Sequence, residues 1–423
     1  MTDWRARVLE AVDAGAPAME GLLAELVRVP SVSGSAAEND LQARLATTLR
    51  DEGLEVDHWP IPLAETLAAP GFPGTEVPRA EAWGLVGRLA GRSQGPSLML
   101  NAHVDVVPPG DRDAWAGDPF GGEVRGGSLY GRGACDMKGG LAAALAAVRA
   151  LGRARVPLRG DVLLACVQGE EDGGLGTFAM LGRGWWADAC VIPEPTGLHL
   201  VPATAGALTF RLRVPGRAVH AARRTEGVSA VEKFWPVFQA LRALERARNA
   251  EVDPLLSRWE VAYPIEVGMV RGGDWASSVP DLLVAEGRLG VALDEPVERA
   301  RAALEAAVAD ACRADPWLRE HPAGVEWWGG QFAPGRTPPD SPLLAAVGRA
   351  HAATSDRPQE RWAAPYGSDL RLMTGLGGVP TVHYGPGDAR LAHGPDESVP
   401  LSEVHITARA LAVLALDHCG VAG

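Results

Sequence analysis

The apolar run Leu98-Met99-Leu100-Asn101-Ala102 ends in His103-Val104-Asp105, an imidazole and a carboxylate one residue apart. Alternate side chains on an extended backbone point to the same side, so both groups can serve one site. An imidazole that binds a metal through one nitrogen commonly gives its other N–H to a carboxylate. Similar endings recur along the chain. Glu170 and Glu171 follow the stretch Asp161–Gln168 after a single glycine, and Glu194 follows Cys190–Pro193. His393 lies a short way beyond the turn Gly385-Pro386-Gly387, which closes a run ending at Tyr384. Asp136 stands in the glycine-rich stretch 131–140, just ahead of an Ala/Leu-rich segment. Singly, each has an ordinary explanation: paired glutamates are usually solvated, and Asp136 could cap a helix starting near Gly139. Jointly, two imidazoles and three carboxylates with no thiol suit Zn²⁺, Co²⁺ or Mn²⁺ better than Ca²⁺ or Mg²⁺. The set exceeds what one tetrahedral zinc needs and suffices for two ions ~3.5–4 Å apart, bridged by one carboxylate. Water held between two such ions can attack a carbonyl carbon. One of the adjacent glutamates can then accept its proton while the other binds metal.

Such groups meet only if the elements carrying them align. Short apolar strands are predicted near 83–89, 97–104, 161–168, 189–193 and 379–384. Helices are predicted over 4–28, 36–49, 139–152, 173–182, 341–354 and 402–418, with Ser33 or Ser35 capping the second. Residues 60–80, rich in Pro and Gly, read as an irregular loop. The alternation implies an α/β fold: a mostly parallel sheet with helices on both faces. In open sheets of this kind ligands bind outside the carboxyl ends of the strands, where the candidate residues fall. The middle of the chain reads differently, as strand 206–214, helix 226–247, strands 259–270 and 281–292, helix 296–313 and strand 323–328. That order is a ferredoxin-like split βαβ unit. The predicted domains are therefore 1–205 and 331–423, forming one catalytic domain, interrupted by an inserted domain over 206–330.

Composition narrows the function classes. With 423 residues and 47% hydrophobic content the chain can bury a large core. A formal net charge of −13 and the lack of any Lys/Arg cluster argue against a nucleic-acid partner. No apolar run approaches ~18 residues, which argues against a membrane span, and no signal-peptide core follows Met1, so cytoplasm is the expected location. The five cysteines are scattered without a Cys-x-x-Cys, which suggests neither a disulfide framework nor a thiolate zinc site. His383, inside the last strand, reads as a satisfied core histidine.

The segments His103-Val-Asp105-Val-Val-Pro-Pro-Gly, Tyr130-Gly-Arg-Gly-Ala-Cys-Asp136-Met-Lys-Gly-Gly and Gly169-Glu170-Glu171 resemble the acetylornithine deacetylase and succinyl-diaminopimelate desuccinylase family. These are co-catalytic metallohydrolases related to glutamate carboxypeptidase and aminoacylase. Pro193-Glu194-Pro195-Thr196, Gly367-Ser-Asp369-Leu-Arg371-Leu and the stretch from Gly385 through His393 to Glu397 extend the likeness over the whole chain, in the family's order. The resemblance implies that His103, Asp136 and Glu194 hold one metal, and that Glu171, His393 and the shared Asp136 hold the other. It implies that Asp105 orients His103 and that Glu170 is the general base. It further implies that the inserted domain is a lid that pairs in a homodimer, with His220 reaching the partner's active site. Arg224 and Ser229 replace a Pro and an Asn common near that histidine. Ser277 lies where relatives carry an Asn, and Arg371 and Gly387 are further candidates for substrate contact. The Arg that many relatives place ten residues beyond the Pro equivalent to Pro280 falls at Gly290, with Arg288 offset by two. The expected activity is removal of an N-acyl group, acetyl- or succinyl-like, from a small amino acid or related amine by metal-activated water. Zinc is the first choice of metal, with cobalt or manganese as alternatives. A carboxypeptidase or dipeptidase shares every motif, and an inactive binding relative would lack a ligand or the base.

Overall fold

The computed structural model describes residues 3–422 and divides into two compact units. The first runs to Ala203 and resumes over Arg336–Trp362 and from Ser368 onward. Its sheet has six strands in the order Glu55–Pro60, Trp83–Leu89, Val162–Val167, Leu98–His103, Ala189–Ile192 and Thr381–His383. The last four run parallel, and Trp83–Leu89 pairs antiparallel with both of its neighbours. The parallel strands are buried along their whole length, which is why they read as continuous apolar runs rather than alternating ones. Helices Gly139–Arg153 and Leu401–Cys419 pack on each other and on Leu98–His103, while Ala36–Asp51 and Leu175–Gly182 pack on Trp83–Leu89. Alanines in Gly139–Arg153 let its backbone approach closely. At Gly140 an added Cβ would lie 1.9 Å from the carbonyl oxygen of Pro193. Only glycine lets this helix start press against the strand end that carries Glu194.

The strands predicted for the first unit recur within two residues at each end, as do most helices. In the middle of the chain the strand expected over 259–270 begins only at Ile265, and the one expected over 323–328 runs on to Phe332. The single helix expected over 4–28 is two, Trp4–Ala14 and Ala16–Arg28. Gly15 breaks the run, and Pro17 occupies the first turn of the second helix, where its missing N–H costs nothing. The strand Glu55–Pro60 gave no signal because it is an edge with only Trp59 buried, so it carries no apolar stripe. The loop beyond it contains a short helix, Leu63–Ala68.

The second unit comprises Thr204–Gly335 and Ala363–Gly367. Its four antiparallel strands lie in the order Ile265–Gly272, Leu282–Val291, Gly206–Pro215 and Gly324–Phe332. Helices Ala230–Arg248 and Val297–Ala314 pack against each other and the sheet, enclosing a separate core around Phe210, Leu212, Leu241 and Leu304. The strand and helix order is the split βαβ pattern. The later segment joins this unit through Ala205 N to Ala364 O and Ala363 N to Leu255 O, both 2.8 Å. No helix among the described residues is long and apolar enough to cross a membrane.

His383 is fully buried, but only one nitrogen is engaged: Nε2 meets Ser368 Oγ at 2.9 Å, and Nδ1 has no partner. Burial pushes its pKa down to about 3. A histidine lowered on folding supports stability fully above its unfolded pKa near 6.5 and withdraws that support as pH falls toward 3. The span corresponds to about 5 kcal/mol. Melting temperature in chelator should therefore fall steeply between pH 6.5 and 3, and His383→Asn should flatten that limb. A variant with an unchanged acid limb would refute the assignment.

Candidate metal centre

Five segments of the first unit carry the sequence-predicted donors to one place. His103 ends its strand with its ring buried, and its Nε2 lies 3.1 Å from Asp136 Oδ1 and 3.7 Å from Glu194 Oε1. His393 Nε2 lies 3.0 Å from Glu171 Oε2 and 3.4 Å from Asp136 Oδ2. Asp136 thus presents one oxygen to each imidazole. One potential ligand atom each from His103, Asp136 and Glu171 fall within 4.8 Å of one another.

Glu170 sits in the same loop as Glu171 but faces elsewhere, with Oε1 accepting from Asp369 N at 3.2 Å. Asp369 is held in turn by Thr177 Oγ1 at 2.5 Å, which accepts from Asn101 Nδ2 at 2.9 Å. Asp105, fully buried, does more than attend His103. Its Oδ1 accepts from Glu170 N at 3.2 Å, and its Oδ2 from Glu171 N at 3.3 Å and Ser33 Oγ at 2.7 Å. His103 Nδ1 lies closer to the carbonyl oxygen of Asp105, at 2.9 Å, than to its carboxylate, at 3.7 Å. One aspartate therefore orients the imidazole through its main chain and braces both glutamates through its side chain. Ser33, one of the two serines expected as a helix cap, is instead committed to that brace. Ser35 occupies the cap position, with no side-chain capping bond.

The electrostatics show a cluster short of positive charge. Burial raises Glu170 well above the usual carboxylate range, with Asp369 adding to it, and burial and Asp136 do the same to Glu194. Burial also opposes the charge on Asp136, but hydrogen bonds from His103 and His393 hold its pKa well down. The Glu171 charge is the main cause lifting His393 to about 11. Burial disfavours a charged His103, yet the Asp136 bond and the Glu194 charge drive it well above its ordinary value. Protons gathered on two imidazoles by facing carboxylates are what divalent cations displace on binding. The nitrogen-and-oxygen donor set fits such ions.

The remaining predicted residues fall into place differently. Arg371, a candidate for substrate contact, is buried, with Nη1 on Ser368 O at 2.7 Å and Nη2 on Gly173 O at 2.6 Å. Its guanidinium ties the Asp369 segment to the loop of Glu170 and Glu171. Gly387 is likewise committed, with N donating to Glu403 Oε2 at 2.8 Å and O accepting from Gly197 N at 2.7 Å. An added Cβ there would lie 2.6 Å from Cys135 Sγ. His220 and Ser277 lie on the second unit, both exposed, on adjoining segments joined by Ala221 N to Ser277 O at 2.8 Å. Gly290 has no room for a side chain: a Cβ would stand 2.8 Å from the Tyr263 backbone. Sequence reasoning assigned no role to Arg132, Asp369 or Glu397, although all three stand inside the quoted motifs.

A largely parallel sheet whose strand ends gather imidazoles and carboxylates defines a metal-dependent hydrolase. The profile of peptidase family M20/M25/M40 matches residues 99–417, and the chain belongs to that family. It is 28% identical over 403 residues to the N-formyl-4-amino-5-aminomethyl-2-methylpyrimidine deformylase of Bacillus subtilis (strain 168), covering 86% of this chain and 85% of that protein. It is 37% identical over 217 residues to the succinyl-diaminopimelate desuccinylase of Methylobacterium sp. (strain 4-46), covering 49% of this chain and 50% of that one. Among solved structures, the dipeptidase Dug1p of Saccharomyces cerevisiae superposes with a TM-score of 0.80 at 14% identity, over 99% of both chains. That likeness shows the fold. The family and its relatives make this chain a hydrolase of amide or peptide bonds, as the sequence motifs implied.

Proposed function

We propose that the protein removes an N-acyl group from a small amine, releasing a carboxylic acid and the free amine, and that it works as a cytoplasmic homodimer paired through its second unit. His103, Asp136 and Glu194 would hold one divalent cation, and Glu171, His393 and the shared Asp136 the other, with zinc first and cobalt or manganese as alternatives. Such ions polarise a carbonyl and lower the pKa of bound water. Glu170 takes a proton from the attacking water and delivers it to the amine nitrogen as the C–N bond breaks. The observation that carries this reading is the division of the paired glutamates: Glu171 turned to His393, Glu170 held by Asp369 N. Acyl removal is favoured over peptide cleavage because the relative matched along most of its length is a deformylase.

A panel of N-formyl, N-acetyl and N-succinyl amines, including an N-formylated aminopyrimidine, together with dipeptides, tests it. N-acyl amines should be cleaved to acid and amine in the zinc-loaded enzyme. Turnover of dipeptides with none of the N-acyl amines would replace this reading with a dipeptidase.

A further inference from the structure

The donors of the centre differ in what holds them. His103 and Glu194 are packed by the core, with side chains 1% and 6% exposed, whereas the His393 side chain is 52% exposed. Its backbone is left-handed, φ +63°, a region disfavoured for a residue with a Cβ. Neither packing nor local preference therefore aims the His393 imidazole.

A buried ion pair behind it can. Glu397 Oε1 accepts from Cys135 N at 2.9 Å and from Asp136 N at 3.0 Å. Its Oε2 accepts from Arg132 Nη1 at 2.6 Å, and Arg132 Nη2 reaches the His393 carbonyl at 3.1 Å. Both side chains are almost wholly excluded from water. The pair joins the main chain at Asp136 to the main chain at His393. We propose that Arg132 and Glu397 are positioning residues, a two-armed clamp that sets His393 relative to Asp136 and so controls the affinity of one of the two cation positions. This rests on the two-cation reading above. The planar guanidinium supplies both arms at fixed angles, whereas a lysine ammonium keeps the charge beside Glu397 but cannot also hold the His393 carbonyl.

The test compares zinc-loaded full-length wild type, Arg132→Lys, His393→Ala and the double variant, by zinc content, chelator-driven zinc release and melting temperature. Wild type should hold two zincs per chain. Arg132→Lys should keep one zinc as tightly as wild type and weaken the other about 10–100-fold, the usual cost of losing a group that orients a ligand. His393→Ala should lose that same zinc with the fold largely intact. In its background Arg132→Lys should add little, because the effect passes through His393. Equal weakening of both zincs, full additivity with His393→Ala, or wild-type release from Arg132→Lys would each overturn the clamp. Should Arg132→Lys fail to fold, Glu397→Gln, which keeps the side-chain size, is read by the same criteria. Wild type holding a single zinc would instead remove the two-cation reading.

Discussion

Glu170→Gln is expected to lower kcat by about 10²–10⁴-fold while zinc content stays at the wild-type level. The substitution keeps the shape and an oxygen for Asp369 N, so the loop held by Asp105 has no reason to move. What it removes is the basic carboxylate. Burial and the Asp369 charge raise the Glu170 pKa well above the carboxylate range, which suits a group that must accept a proton and then give it up. Glu171, 3.0 Å from His393 Nε2, should behave in the opposite way: Glu171→Gln should cost metal first and activity in consequence. Near-wild-type turnover by Glu170→Gln would reverse the assignment. So would Glu171→Gln retaining full metal while losing only chemistry.

The sequence made most of the donors legible because His103, Glu171 and Glu194 close or follow fully buried strands and Asp136 stands just ahead of a buried helix, and burial writes itself as an uninterrupted apolar run. His103, Glu170, Glu171 and Glu194 could be placed at one sheet rim on that signal alone. The groups that hold them were harder to see. Ser33 reads locally as a helix cap, since nothing in its own neighbourhood points to Asp105 some seventy positions away. Glu397 and Arg132 stand inside the motifs without any local sign of a role, and only the fold shows them buried against each other. Arg371 stands in a motif, yet nothing in its neighbourhood announces the carbonyls of Ser368 and Gly173 that its guanidinium holds. Long-range bracing is a property of topology, and neither composition nor periodicity encodes it. The edge strand Glu55–Pro60 escaped for the related reason that an element with one buried side chain has no pattern to read.

His220→Ala is expected to cost ~10²–10³-fold in kcat, the usual loss for one donor to a developing oxyanion. The local geometry favours that job. His220 is exposed, and its Nδ1 accepts from Ala222 N at 3.1 Å, which leaves the proton on Nε2 as an outward donor. The segment is pinned by Ala221 N to Ser277 O and Val279 N to Val219 O, so the ring stands on a fixed support. The family resemblance puts this histidine in the cleft of the opposite subunit, and subunit mixing tests that directly. Homodimers of His220→Ala and of Glu170→Gln should each be nearly inactive. A heterodimer pairs one subunit's intact Glu170 with the other's intact His220 and recovers one working site of two. Random assortment in an equimolar, fully exchanged mixture makes half the dimers mixed, so activity should return to about one quarter of wild type. A structural role for His220 in its own subunit predicts no recovery at all, since that subunit's defect would travel with it. A mixture that stays inactive after verified exchange would therefore refute the trans-acting role.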